Sequence, residues 1–98
     1  MATGVMRALF PVGSRHMTAA VAAEAQADHG FAFEVALAFT RHESCDWREM
    51  SNEDAAANYR AIYDGSRIFS AFTSRAGRLF IITEADRSST TVMFAREY

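Results

Sequence analysis

Apolar residues recur along this chain with two different periods, and the change of period divides it. Between residues 31 and 42, Phe31, Val35 and Phe39 fall four apart, with Leu37 and Ala38 beside them, which predicts a helix that fills the core. Before it, Thr18 can cap a helix over residues 19–27, where alanine, glutamate and glutamine favour that state and Gly30 supplies a stop. Val21 is its only bulky apolar side chain, so this helix is expected at the surface. After it, Ser51 and Asp54 form a capping-box-like start for a helix over residues 52–63. Gly65 ends that helix, and Ala55, Tyr59 and Ile62 mark its expected inner face.

The last third changes to a period of two. Residues 67–73, 78–83 and 89–95 read as three strands of a meander, the first two joined by a four-residue connection, Ser74-Arg75-Ala76-Gly77. Alternation sets Ile68, Phe72, Leu79, Ile81, Val92 and Phe94 on one face against Phe69, Phe80, Ile82 and Met93 on the other. A further edge strand is expected over residues 5–10, closed by Pro11 and Gly13, and residues 13–17 read as a loop. The predicted architecture is α+β: a small antiparallel sheet packed against two or three helices, in a single domain spanning residues 1–98.

Composition narrows the setting. A chain of 98 residues, half of them hydrophobic, supports one modest core. A net charge of −2 gives no general attraction to nucleic acid or anionic membrane. All ten basic residues are arginine, a choice suited to planar contacts with carboxylate or phosphate and also to a GC-rich genome. Cys45 is the only cysteine, which excludes an internal disulfide and fits a reducing cytoplasm. No run of apolar residues is long enough to span a bilayer.

Two polar clusters interrupt this pattern. In Arg41-His42-Glu43-Ser44-Cys45-Asp46-Trp47, a histidine at a helix end can act as a cationic cap, or as a base oriented by Asp46. Cys45 beside Trp47 reads as a small buried thiol rather than a nucleophile. In Thr83-Glu84-Ala85-Asp86-Arg87-Ser88-Ser89-Thr90-Thr91, Asp86 is expected to cap the turn, with Arg87 pairing Glu84 or Asp46. The carboxylates of Asp46, Glu84 and Asp86 have no coordination pattern, so no metal is implied. There is no phosphate-binding glycine loop or serine elbow.

These residues resemble a small family found on bacterial plasmids and prophages, often labelled plasmid-related protein. The resemblance rests on residues 41–47, Glu53-Asp54 with Asn58, Gly65-Ser66-Arg67, and above all Ile81-Ile82-Thr83-Glu84-Ala85-Asp86-Arg87-Ser88 followed by Thr90-Thr91 and Glu97-Tyr98, with Arg7 to Pro11 at the start. The chain departs from the family pattern at Cys45 and Arg48, where glycines are usual, and at Phe72 and Phe80, where tryptophan or tyrosine is usual. What the resemblance implies is a mobile-element setting.

Two functional classes follow. One is a cofactor-free binding protein that modulates or inhibits a host macromolecular machine, such as an anti-CRISPR or anti-restriction inhibitor. Trp47, Tyr59, Tyr63, Arg75, Asp86 and Arg87 would be its contact residues. Its partner would be a host or mobile-element protein complex; nucleic acid is not favoured by the charge, and a homodimer is compatible with the pattern. The other is a metal-independent ribonuclease similar in outline to the barnase and colicin enzymes. There His42 or Glu84 would be the base, Arg87 the phosphate clamp, and Thr90 or Thr91 would position the phosphate.

Overall fold

A computed structural model describes residues 8–98. The chain forms β1 (Ser14–Met17), α1 (Ala19–Ala27), α2 (His29–Glu43), α3 (Asn52–Asp64), β2 (Ile68–Ser74), β3 (Gly77–Thr83), β4 (Ser89–Phe94) and a terminal 3-10 turn, Ala95–Glu97. The strands make one sheet in the order β1-β4-β3-β2. The expected α+β class holds, with the meander β2-β3-β4 antiparallel throughout. Residues 13–17, expected as a loop, instead supply β1, which pairs parallel to β4 with Ser14 opposite Ser89. The strand expected over residues 5–10 lies partly outside the described residues, and Leu9 and Phe10 form a bend.

Side chains set the helix boundaries. The Thr18 hydroxyl accepts the Val21 N–H at the start of α1, and the Ser51 hydroxyl accepts the Asp54 N–H at the start of α3. Gly30 does not stop α1. Asp28, in an extended conformation, ends α1 and caps α2, accepting from the N–H groups of Gly30 and Phe31. Gly30 then leaves room for the Arg75 guanidinium, which a Cβ there would meet. Gly65 closes α3 at φ 79.

One sheet face is buried under the helices. Phe72, Leu79, Ile81, Val92 and Phe94 meet Val21, Phe31, Val35 and Ala38 in the main core. A second cluster of Phe10, Val12, Trp47, Ala61 and Ile68 lies beneath α3. Tyr59, expected on the inner face of α3, is half exposed; Asn58 and Ala61 are the buried positions instead. Asn58 turns inward because both ends of its amide are used: it accepts from Phe69 N (3.0 Å) and donates to Phe69 O (2.7 Å), as a neighbouring strand would. The opposite sheet face is met by the end of the chain after the 3-10 turn. Phe69, Phe80 and the terminal Tyr98 pack on one another there, with ring centroids 4.6 to 5.8 Å apart.

The seam between β1 and β4 depends on Gly13, which has φ 63 and lies against the backbone of Ser88; a Cβ would come within 2.2 Å of Ser88 O. Gly65 is equally left-handed but faces open space. Gly65→Ala should therefore cost only the left-handed penalty of about 1–2 kcal/mol. Gly13→Ala should cost that penalty plus the displacement of β1. Urea unfolding of the two variants checks this: equal losses would mean that the Gly13 contact is not tight.

Candidate functional site

The two polar clusters meet inside the core, through their buried members. His42, Ser70, Thr83 and Thr90 are each 0% exposed and Trp47 is 3% exposed. Trp47 Nε1 lies 2.7 Å from Ser70 Oγ, and Ser70 Oγ lies 2.5 Å from His42 Nδ1. His42 Nε2 lies 2.8 Å from Thr83 Oγ1, which is 2.7 Å from Thr90 Oγ1; Thr90 donates to Val12 O at 2.7 Å.

Counting protons gives this chain a direction. The Thr90 hydroxyl has one hydrogen and gives it to Val12 O, so Thr83 must donate to Thr90. The proton of Thr83 is then spent, so Thr83 accepts from His42 Nε2–H. A neutral imidazole bearing its proton on Nε2 has a bare Nδ1, which accepts from Ser70, and Ser70 accepts from the donor-only indole of Trp47. A second proton on His42 would face the one hydroxyl whose hydrogen already points at it. Burial alone lowers the His42 pKa from 6.5 to about 3. His42 is thus a neutral structural relay, and the expected cationic helix cap is corrected.

Arg87 also serves the framework. It sits at φ 62, in the turn between β3 and β4. Its guanidinium donates to the carbonyls of Ser66 (2.6 Å) and Glu84 (3.1 Å) through Nη1 and to Ala61 (2.7 Å) through Nη2. A cation therefore caps the negative end of α3 and ties it to the hairpin. The expected pairing of Arg87 with Glu84 or Asp46 is replaced by these carbonyls. Asp86 does cap the turn, accepting from Ser88 N at 2.9 Å.

The remaining members of the clusters point elsewhere. Asp46 is bonded to Arg48 and Arg41, which hold its carboxyl well below the usual carboxylate range, and it makes no bond to His42. Arg41 also pairs with Glu49, whose other oxygen accepts Thr73 N at 3.1 Å on the outer edge of β2. Burial pushes the Cys45 thiol pKa up. Glu84 is exposed, 3.8 Å from Arg67. His42, Asp46, Glu84 and Arg87 therefore do not form one pocket. Among the described residues, no cluster of His, Cys, Asp or Glu suits a metal ion, and no helix is long and apolar enough to cross a membrane.

The residues expected to contact a partner divide in the same way. Trp47 is buried, so the expectation that it anchors an interface is corrected. Tyr59 is 50% and Tyr63 90% exposed on α3. Arg75 is half exposed and lies 3.5 Å from both Asp28 and Glu34. Sequence reasoning missed Ser70 and Asn58, whose roles come from partners 28 and 11 residues away. It also missed an open groove of about 420 Å³ between α3 and the segment leading into β2, lined by Asp54, Ala57, Arg60, Ala61, Arg67 and Phe69 among others.

Two outcomes follow. The unfolded chain takes up a proton at His42 near pH 6.5, whereas the folded one resists until about pH 3, so the stability from this site is present above pH 6.5 and is lost on acidification. Between pH 6.5 and 4.5, urea unfolding should show a fall attributable to His42 of about 1.4 kcal/mol per pH unit, absent in a folded His42→Asn variant. A slope that survives the substitution would remove His42 as its source. At Arg87, Ala loses the carbonyl bonds and keeps the left-handed strain, whereas Gly loses the bonds and sheds the strain. Wild type should exceed Arg87→Ala by about 1–3 kcal/mol, and Gly should exceed Ala by about 1 kcal/mol. An Ala variant as stable as wild type in the same titration would show the bonds to contribute nothing.

No protein-family model, curated protein or solved structure matches this chain, and the reading of its function rests on these residues and surfaces.

Proposed function

We propose that this chain is a binding protein that modulates or inhibits a host macromolecular machine, in the manner of an anti-CRISPR or anti-restriction inhibitor. The supporting observation is on α3. Tyr63 is 90% exposed, Tyr59 is 50% exposed, and Arg60 between them makes no hydrogen bond or ion pair among the described residues. Large aromatic rings and an uncommitted guanidinium are the side chains that dominate protein interfaces, the rings because they bury much area at small entropic cost and the guanidinium because it offers a planar fork of donors. The mobile-element setting that the family resemblance implies gives such a surface a host target.

The ribonuclease alternative draws less support. Of its candidate residues, His42 and Thr90 are sealed from solvent and the Arg87 donors are engaged with carbonyls, while the other candidate base, Glu84, is exposed beside Arg67 and the other hydroxyl, Thr91, is half-buried.

The test is a plasmid-transformation assay in hosts with active restriction or CRISPR interference, alongside capture from host lysate with RNA integrity followed. Wild type should raise transformation and hold a stoichiometric protein partner while RNA stays intact. A folded Tyr63→Ala variant should lose about tenfold in affinity, the effect of one hot-spot contact. RNA degraded by wild type but not by Arg87→Ala, or transformation unaffected by wild type, would overturn the proposal.

A further inference from the structure

Ala57, Ala61 and Asp64 follow at spacings of four and three along the groove side of α3, away from the helix face that carries Tyr59 and Tyr63. The groove has an apolar floor of Met50, Ala57, Ala61 and Phe69. Its two ends differ in charge. Toward the start of α3 lies Asp54, whose carboxylate makes no hydrogen bond or ion pair among the described residues. Toward the end lie Arg60, also uncommitted among the described residues, and Arg67, whose one ion-pair partner among them is Glu84 at the long distance of 3.8 Å. Asp64 at that end is already occupied, accepting Ser66 N at 2.9 Å.

Asp54 and Arg60 are six residues apart, which is about 9 Å along a helix axis and about three residues of extended chain. The floor between them continues into Phe69, whose ring already meets Phe80 and Tyr98. An aromatic ring entering the groove would find edge-to-face neighbours in place. Resting on the binding role proposed above, we propose that this groove receives an extended segment of the partner protein. That segment carries an apolar or aromatic residue over Phe69, an acidic side chain at Arg60 and Arg67, and a basic one toward Asp54.

Two observations narrow the mode of binding. Asn58 occupies both backbone groups of Phe69, so the segment lies on side chains and does not extend the sheet. Asp54, Asp64 and Glu84 line or flank the groove, and a continuous phosphate backbone would meet their charge. A polypeptide of mixed charge fits both ends where a polyanion fits only one.

The experiment is selection of random peptides, displayed internally without a free terminus, on the folded 98-residue chain. Wild type should enrich an aromatic or apolar position flanked by an acid on one side and a base on the other. Arg60→Glu, an exposed change checked by circular dichroism, should abolish or reverse the acidic preference. Ala57→Met, which fills the floor, should abolish enrichment. An enriched motif indifferent to Arg60→Glu, no enrichment at all, or preferential binding of single-stranded oligouridylate would each overturn the proposal. If partner capture needs Tyr63 yet tolerates Arg60→Glu and Ala57→Met, the groove inference fails while the binding role stands. If none of the three variants weakens capture, the binding surfaces proposed on α3 fail together.

Discussion

Everything in this fold is referred to one buried hydrogen-bond chain that can run in only one direction. It starts at a group that can only donate, the Trp47 indole, and ends at one that can only accept, the Val12 carbonyl. In between it passes from β2 to α2, then to β3 and β4, so a single proton order links the loop after α2, three strands and the segment leading into β1. A 98-residue domain has little core to spare, and five polar side chains inside it would be costly if any were unsatisfied. Among the described residues none is. The chain therefore specifies register as much as it stabilises: shifting β4 by one residue would turn Thr90 to the other face and break the link from Thr83 to Val12.

The Arg87 turn applies the same economy at the surface. A non-glycine residue in the left-handed region costs about 1 kcal/mol or more, and it is tolerated where the side chain returns several bonds. Here the guanidinium gathers carbonyls from α3, the approach to β2 and the hairpin itself. The block from Thr83 to Ser88, the most specific-looking stretch of the sequence, is thus a joint between helix and sheet. Such a joint constrains sequence as tightly as an active site does, because geometry and charge must both be right.

Local signals explain which parts of this could be read in advance. The three helices were legible because Thr18, Ser51 and Gly65 act within one turn of themselves, and the meander was legible because short runs rich in Phe, Ile and Thr are cut by turn-forming stretches at residues 74–77 and 84–88. Gly30 misled because Asp28 served as the cap for both helices, freeing the glycine to admit Arg75. β1 was invisible because all four of its residues are exposed, so no hydrophobic alternation marks it. The convergence of His42, Ser70, Thr83 and Thr90 could not be inferred, since spacing along the chain does not say which hydroxyl faces which ring nitrogen. Charge at His42 was misjudged for the same reason: the sequence shows a helix end, and only packing shows that this end is buried.

The way the sheet treats its two edges bears on where a partner can act. At β2, Asn58 covers both backbone groups of Phe69 and Glu49 covers Thr73 N, so three of the backbone groups that could recruit another strand are already bonded. At the other end, β1 is only four residues long, and Arg15 is held back against Glu43 by a bidentate pair at 2.5 and 2.8 Å. Both edges are blunted, one by side-chain substitutes and the other by brevity. With the titratable residues of the two polar clusters largely committed to the framework, the proposed binding role falls to side chains that the framework does not use. On α3 those are Arg60 and Tyr63 on its outer surface, beside the half-exposed Tyr59 ring that packs edge-on to Trp47, and Asp54 and Arg60 above the apolar floor of its groove. The helix that presents them is fastened at its C-terminus by Gly65 and Arg87 together, and in the proposed role such an anchored platform lowers the entropic cost of binding.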